Sequence, residues 1–296
     1  MGRSICYALF YHLEIFYNLY MNEKEIKKVI KFKKESLACL INNLGENHPE
    51  AINTEYELAK IYIDNDDYKN AYKHLKNVQF HLKNNKSKVY INIKESFDYN
   101  FFLVCHFLKK YEEICNNAFS FLKRISDLDY YDDDMIFIIN IIAQSYYHCD
   151  NEYLSRSLYK MIYNYVDANY DTFPVPKFVP LTVINYVGFL NSQNEVEEAQ
   201  AILASWRDSI DDLIAENFDD DESDEYPPVN APLIDLLTNR LFCDYVSSLL
   251  DGDIYFEFFE IFGSDDFQNF LHDFFDENLI EEIPTEDKHL DFPKKF

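Results

Sequence analysis

The sequence predicts an all-α fold, a superhelical array of antiparallel helical hairpins closed by a C-terminal helical cap, and three observations carry that prediction. Apolar residues recur at three- and four-residue steps through long parts of the 296 residues, the period of a helix that buries one face. Glycine is scarce (5) while Tyr (24) and Phe (26) are abundant, which starves a glycine-turned β barrel and supplies ample apolar area for packing helices. A pair of small residues twelve apart returns with a period of roughly forty-three residues, the mark of a structural repeat.

The elements follow in chain order. Ser4 to Tyr20 is apolar but interrupted by His12 and Glu14, with no small-residue cleavage site after it, so it reads as part of the fold rather than a secretion signal. Glu14 and Ile26 then take the two small positions of a first hairpin. The clearest repeat is Leu44 to Val78, where Leu58, Ala59, Tyr62, Tyr68, Ala71, Leu75 and Val78 keep helical spacing on both sides of a break at Asp64 to Asp67. Ala59 and Ala71 are small because two antiparallel helices that cross closely leave no room for a longer side chain. The same pair recurs as Phe102 and Ile114, Ala143 and Ser155, and Val187 and Ala199, giving four to five hairpins. The segment Pro174 to Pro180 is expected to be extended and restrained by its prolines. Nine acidic residues and no basic one between Asp211 and Glu225, followed by Pro227 and Pro228, predict a solvated linker. Helical spacing returns at Leu233 to Leu250 and from Phe267 to Leu279, with stops at Gly252 and Gly263 and Asp265 or Asp266 as a helix cap. The expected division is therefore repeats over 1–210, an acidic segment over 211–232, and a Phe-rich cap over 233–296 that covers the last apolar face of the array.

The motif Leu40, Leu44, Gly45, His48, Pro49, Glu50, leading into the hairpin from Glu57 to Leu75, resembles the tetratricopeptide repeat family, in particular its longer variety found in kinesin light chains. Gly45 and Pro49 suit a helix stop and restart. The resemblance implies that His48 belongs to the inter-hairpin turn, that the first helix of each hairpin lines a groove, and that the groove holds a protein or peptide. Carried over position by position, it assigns partner contacts to Tyr56, Lys60, Ile63 and Asp64; to Tyr99, Leu103, His106 and Phe107; to Asn140, Gln144, Tyr147 and His148; and to Ile184, Gly188, Asn191 and Ser192.

Charge separates the halves. Residues 1–125 carry 19 basic and 15 acidic residues, whereas residues 126–296 carry 8 and 38. So negative a field repels phosphate backbones and anionic lipid, which argues against nucleic-acid or membrane binding and for a basic partner, with Asp219, Asp220, Asp221 and Glu222 among its contacts. The six cysteines stand singly, without a CxxC, and read as reduced core residues of a cytoplasmic protein. No histidine pair with a third ligand, no phosphate-cradling glycine motif and no nucleophile motif occurs, so neither a metal, a cofactor nor catalysis is expected. The acidic run lacks the glycine and the terminal glutamate of a calcium loop. The predicted function is a scaffold that binds a basic protein or peptide through the repeat groove and the acidic C-terminal half. The alternative is an acidic inhibitor or immunity protein that neutralises a basic toxin or nucleic-acid enzyme by standing in for phosphates.

Overall fold

The structure, a computed structural model, describes residues 23–84, 91–126, 128, 130–169, 178–218, 231–250, 255–256, 261, 264–267 and 269. These residues form helices α1 (Glu23–Leu44), α2 (Pro49–Ile63), α3 (Tyr68–Asn84), α4 (Ile91–Phe107), α5 (Tyr111–Ile125), α6 (Asp133–His148), α7 (Glu152–Asn169), α8 (Phe178–Ser192), α9 (Val196–Phe218) and α10 (Ala231–Ser248), and no strand is present among them. Glu14 and the residues from Asp219 to Glu225 lie outside the described residues, as do Gly252, Gly263 and most of the C-terminal segment.

Four hairpin turns repeat one geometry. Asp66, Lys109, Asp150 and Asn194 each adopt a left-handed backbone, with φ of 56°, 53°, 56° and 59°. In each turn that residue's N–H reaches back three residues, and the next N–H reaches back five, as in Asp66 N to Ile63 O (3.0 Å) and Asp67 N to Tyr62 O (2.9 Å). This double bond satisfies the orphan carbonyls of the helix end without a glycine. Asp and Asn tolerate the conformation because their short side chains bond locally; Lys109 has no such help. Replacing Lys109 with Gly is therefore expected to raise stability by about 1 kcal/mol, seen as a higher urea midpoint. An unchanged or lower midpoint would show that the turn is held by something other than its own backbone.

The small positions sit where the hairpins cross. Ala59, Ala71, Ile114, Ala143, Ser155, Val187 and Ala199 are completely buried, and Phe102 is 1% exposed. In the first unit α2 packs on α3 with alanine on both sides of the crossing, while α4 packs on α5 across Phe102 and Ile114. Upstream, α1 ends at Gly45 (φ +90°), whose N–H bonds Ile41 O at 2.9 Å. His48 then caps α2 by accepting from Glu50 N through Nδ1 (3.3 Å), with Pro49 in the first turn. His48 is thus turn structure, as the repeat motif implies.

The chain divides at Ser155–Arg156, within α7, into two compact units. In the first, α2, α4 and α6 are successive neighbours, with α1, α3 and α5 packed against them. The rings of Phe97, Phe101, Phe102 and Phe121 form its aromatic core, the last two edge to face at 5.6 Å. In the second, α8 packs on α9 and α9 on α10. Arg207 reaches Asp244 (3.2 Å) and Arg240 reaches Asp211 (2.5 Å), which clamps α10 to α9, and Phe267 packs between Phe242 and Tyr245.

Four expectations are corrected here. The linker expected from Asp211 begins as helix: α9 runs to Phe218 because Leu213 is buried and Asp211 is tied to Arg240. Phe178 to Pro180, expected to be extended, form the first turn of α8, where proline lacks no needed hydrogen bond. The helical turn at residues 265–267 is capped by Ser264, whose Oγ accepts from Phe267 N (3.2 Å), and not by Asp265 or Asp266. Among the cysteines, Cys105 and Cys243 are core residues, but Cys39 is exposed, and Cys115 and Cys149 are half-buried.

Candidate functional site

The first helices of successive hairpins lie side by side in the first unit, and side chains cross between them. Tyr56 Oη on α2 donates to Ser96 Oγ (2.9 Å) and accepts from Asn100 Nδ2 (2.6 Å) on α4, while the Tyr99 ring on α4 lies 5.7 Å from that of Phe137 on α6. The second helices are joined too: Tyr72 and Lys76 on α3 both bond the Glu113 carboxylate on α5, and Gln79 donates to Asn117 (3.1 Å). Burial pushes the Glu113 carboxyl up, yet Lys76 and Tyr72 outweigh it and hold the group below its ordinary range. Glu55 behaves alike, burial being overcome by its bonds from His74 and Asn77.

Of the expected contact positions, the structure buries many. Tyr56, Ile63 and Leu103 are at most 5% exposed, Asn140 and Gln144 at most 4%, and Asn191 not at all. Helix α6 is buried from Ile136 to Ser145 and α8 from Phe178 to Asn191, so these helices are packed on every side and their polar residues are interior groups. Lys60 and Asp64 are exposed, His148 is exposed, and Tyr99, His106, Phe107, Tyr147 and Ser192 are half-buried. Asp219, Asp220, Asp221 and Glu222 lie outside the described residues.

Four of the accessible positions, His106, Phe107, Tyr147 and His148, lie at the C-terminal ends of α4 and α6, where they meet two tyrosines not assigned above as partner contacts. Tyr68, which opens α3, stacks on Phe107 at 4.6 Å and 14°, and Tyr111, which opens α5, stacks on His148 at 4.1 Å and 18°. His106 and Tyr147 meet Phe107 and His148 edge-on. The result is a half-exposed aromatic ledge built by the turn edge of consecutive hairpins. Its signal was in the chain: Tyr68 and Tyr111 both directly follow the residue that ends the turn, at the repeat spacing. Lys110 lies 4.5 Å over the Tyr72 ring beside it, and Asp66 accepts from Tyr68 Oη (2.9 Å). Behind the ledge, Cys115 touches Cys149, and burial together with that contact pushes the Cys115 thiol up to about 12.

Chemically this surface offers ring faces, two imidazoles and charges of both signs, the materials of protein recognition. No group of three or more His, Cys, Asp or Glu side chains that could hold a metal occurs among the described residues. A cavity of about 210 Å³ between α1, α2 and α3 is lined by Leu37, Ile41, Ile52, Glu55, Phe80 and His81. None of the described helices is long and apolar enough to cross a membrane.

No protein-family model and no curated protein matches this sequence. Among solved structures, two crystal structures of a Podosopora anserina protein named for a kinesin light chain, built of nearly identical TPR-like repeats, resemble it. One shares 11% identity over 73% of this chain and 98% of its own, at a TM-score of 0.53. The other, a point-substituted form, shares 11% over 65% and 88%, at 0.52. At that identity the likeness concerns the fold, and it agrees with the recurrent turns and crossings described above. The chain has the all-α fold of tetratricopeptide-like repeats.

Proposed function

We propose that this protein is a scaffold that binds another protein, and that the aromatic ledge of Tyr68, His106, Phe107, Tyr111, Tyr147 and His148 is a principal contact surface. The observation that carries the reading is the stacking of two ring pairs across neighbouring repeats, half exposed, in a fold whose usual use is to hold partners. Rings already ordered by one another lose little entropy when a partner covers them. The excess of acid in residues 126–296 favours a basic partner by steering its approach and rejecting acidic competitors.

The experiment is capture of partners by the full chain, identified by mass spectrometry, and repetition with Phe107→Ser and with Tyr147→Ala. Retention of the captured protein is expected to fall about tenfold or more for each variant while the melting temperature changes by only a few degrees. Undiminished retention in both variants would remove the ledge from the interface. A partner whose retention is insensitive to salt would remove the electrostatic component of the reading.

A further inference from the structure

The cavity between α1, α2 and α3 carries chemistry that the ledge does not use. Its buried lining includes Leu37 and Ile52, whereas Ile41 is 38% and Phe80 61% exposed, so the cavity opens to the surface. At about 210 Å³ it falls short of the roughly 300 Å³ or more of pockets that enclose a whole small molecule. Two carboxylates line it, Glu55 of α2 and Glu46 of the turn before α2, and no Lys or Arg does. The lysines of α1 all precede Leu37, and the last turn of that helix holds no basic residue.

Glu55 is 8% exposed, yet only one of its two oxygens is engaged. Oε1 accepts from His74 Nδ1 and from Asn77 Nδ2, each at 2.8 Å, and no donor among the described residues reaches Oε2. Burial raises the carboxyl, but those two bonds outweigh it and hold the group below its ordinary range, so it is anionic at neutral pH. A buried anion with an unused acceptor is best satisfied by a donor that carries positive charge.

We propose that this cavity takes an arginine side chain of a basic partner protein, with the guanidinium donating to Glu55 Oε2 and the aliphatic stem lying along Leu37 and Ile52. The proposal rests on the scaffold reading above and names one residue that the partner presents. Arginine suits the site better than lysine, because a planar cation bonds a carboxylate while lying against an exposed ring, here Phe80, and its further donors can reach Glu46. Residues 1–125 carry a slight excess of base, so this selection for positive charge is local to the cavity.

The test uses the full chain with isotope-labelled histidine, whose eight ring signals include that of His81 in the cavity wall, and Nα-acetylarginine amide as the probe. The His81 signal, assigned by its loss in His81→Gln, is expected to shift saturably with the probe. The citrulline analogue, which keeps the shape and lacks the charge, is expected to leave it unmoved. Glu55→Gln is expected to weaken binding about tenfold or more and Phe80→Ala about threefold, with helix content followed by circular dichroism. A shift that does not saturate would overturn the proposal, as would an equal response to the citrulline analogue or to Nα-acetyllysine amide, or undiminished binding by Glu55→Gln. Should Glu55→Gln lose helix content, the exposed positions decide: undiminished binding in both Phe80→Ala and Glu46→Gln overturns the proposal as well. The probe is a free amino-acid derivative, so failure here leaves the ledge and its partner standing, and loss of the ledge leaves this pocket standing.

Discussion

Phe102→Ala is expected to destabilise the protein by about 3–5 kcal/mol, measured as the shift in urea unfolding followed by circular dichroism. Phe102 is 1% exposed and touches Phe101 and Phe121. It also occupies a crossing where three of the four described hairpins carry Ala or Val, so its ring fills volume that a small side chain occupies elsewhere. Truncation removes the ring's transfer free energy and leaves a void that α4 and α5 cannot close without dragging their neighbours α2, α3 and α6. A loss below about 1 kcal/mol would mean that the pair collapses over the gap.

Ala59→Phe makes the opposite error at the equivalent position. Ala59 and Ala71 are both completely buried, on two helices that pack against each other. A phenyl ring there must displace α3, and with it the bonds from His74 and Asn77 to Glu55 and from Tyr72 and Lys76 to Glu113. The expected cost is about 3 kcal/mol or more, at the upper end of overpacking effects because two polar networks move together. A lowered melting temperature with retained helix content is the expected signature. If the variant instead unfolds at the same urea concentration as the parent, the small positions are incidental to the repeat. Combined in one chain, the two substitutions sit in adjacent hairpins and are expected to couple, since α4 packs on both α2 and α3.

Both predictions concern positions that could be named before any coordinates. The break at Asp64 to Asp67, the stop at Gly45, the restart at Pro49 and the eight crossing residues all fall where their spacing puts them. The left-handed turn residue stands seven places after the first small residue in all four hairpins, at Asp66, Lys109, Asp150 and Asn194. Such features are local. A helix of 3.6 residues per turn writes its buried face into the sequence, and a turn writes its backbone need into a few residues.

The contact surface was less legible. Tyr56, Asn140, Gln144 and Asn191 have the residue types and the periodicity of groove positions, yet they are interior. Nothing in the chemistry of Asn140 reveals that α6 is covered on all sides, because covering is done by helices remote in sequence. Tyr68 and Tyr111 look like ordinary helix starts until Phe107 and His148, thirty-nine and thirty-seven residues on, are brought against them. Gly188 reads as a small groove residue, and only Phe256 lying across it shows what the missing side chain makes room for. The chain alone thus specified where helices begin, end and cross, since those depend on neighbours a few residues away. Which of their faces stay open depended on partners tens of residues distant, and that became visible only once the hairpins were packed.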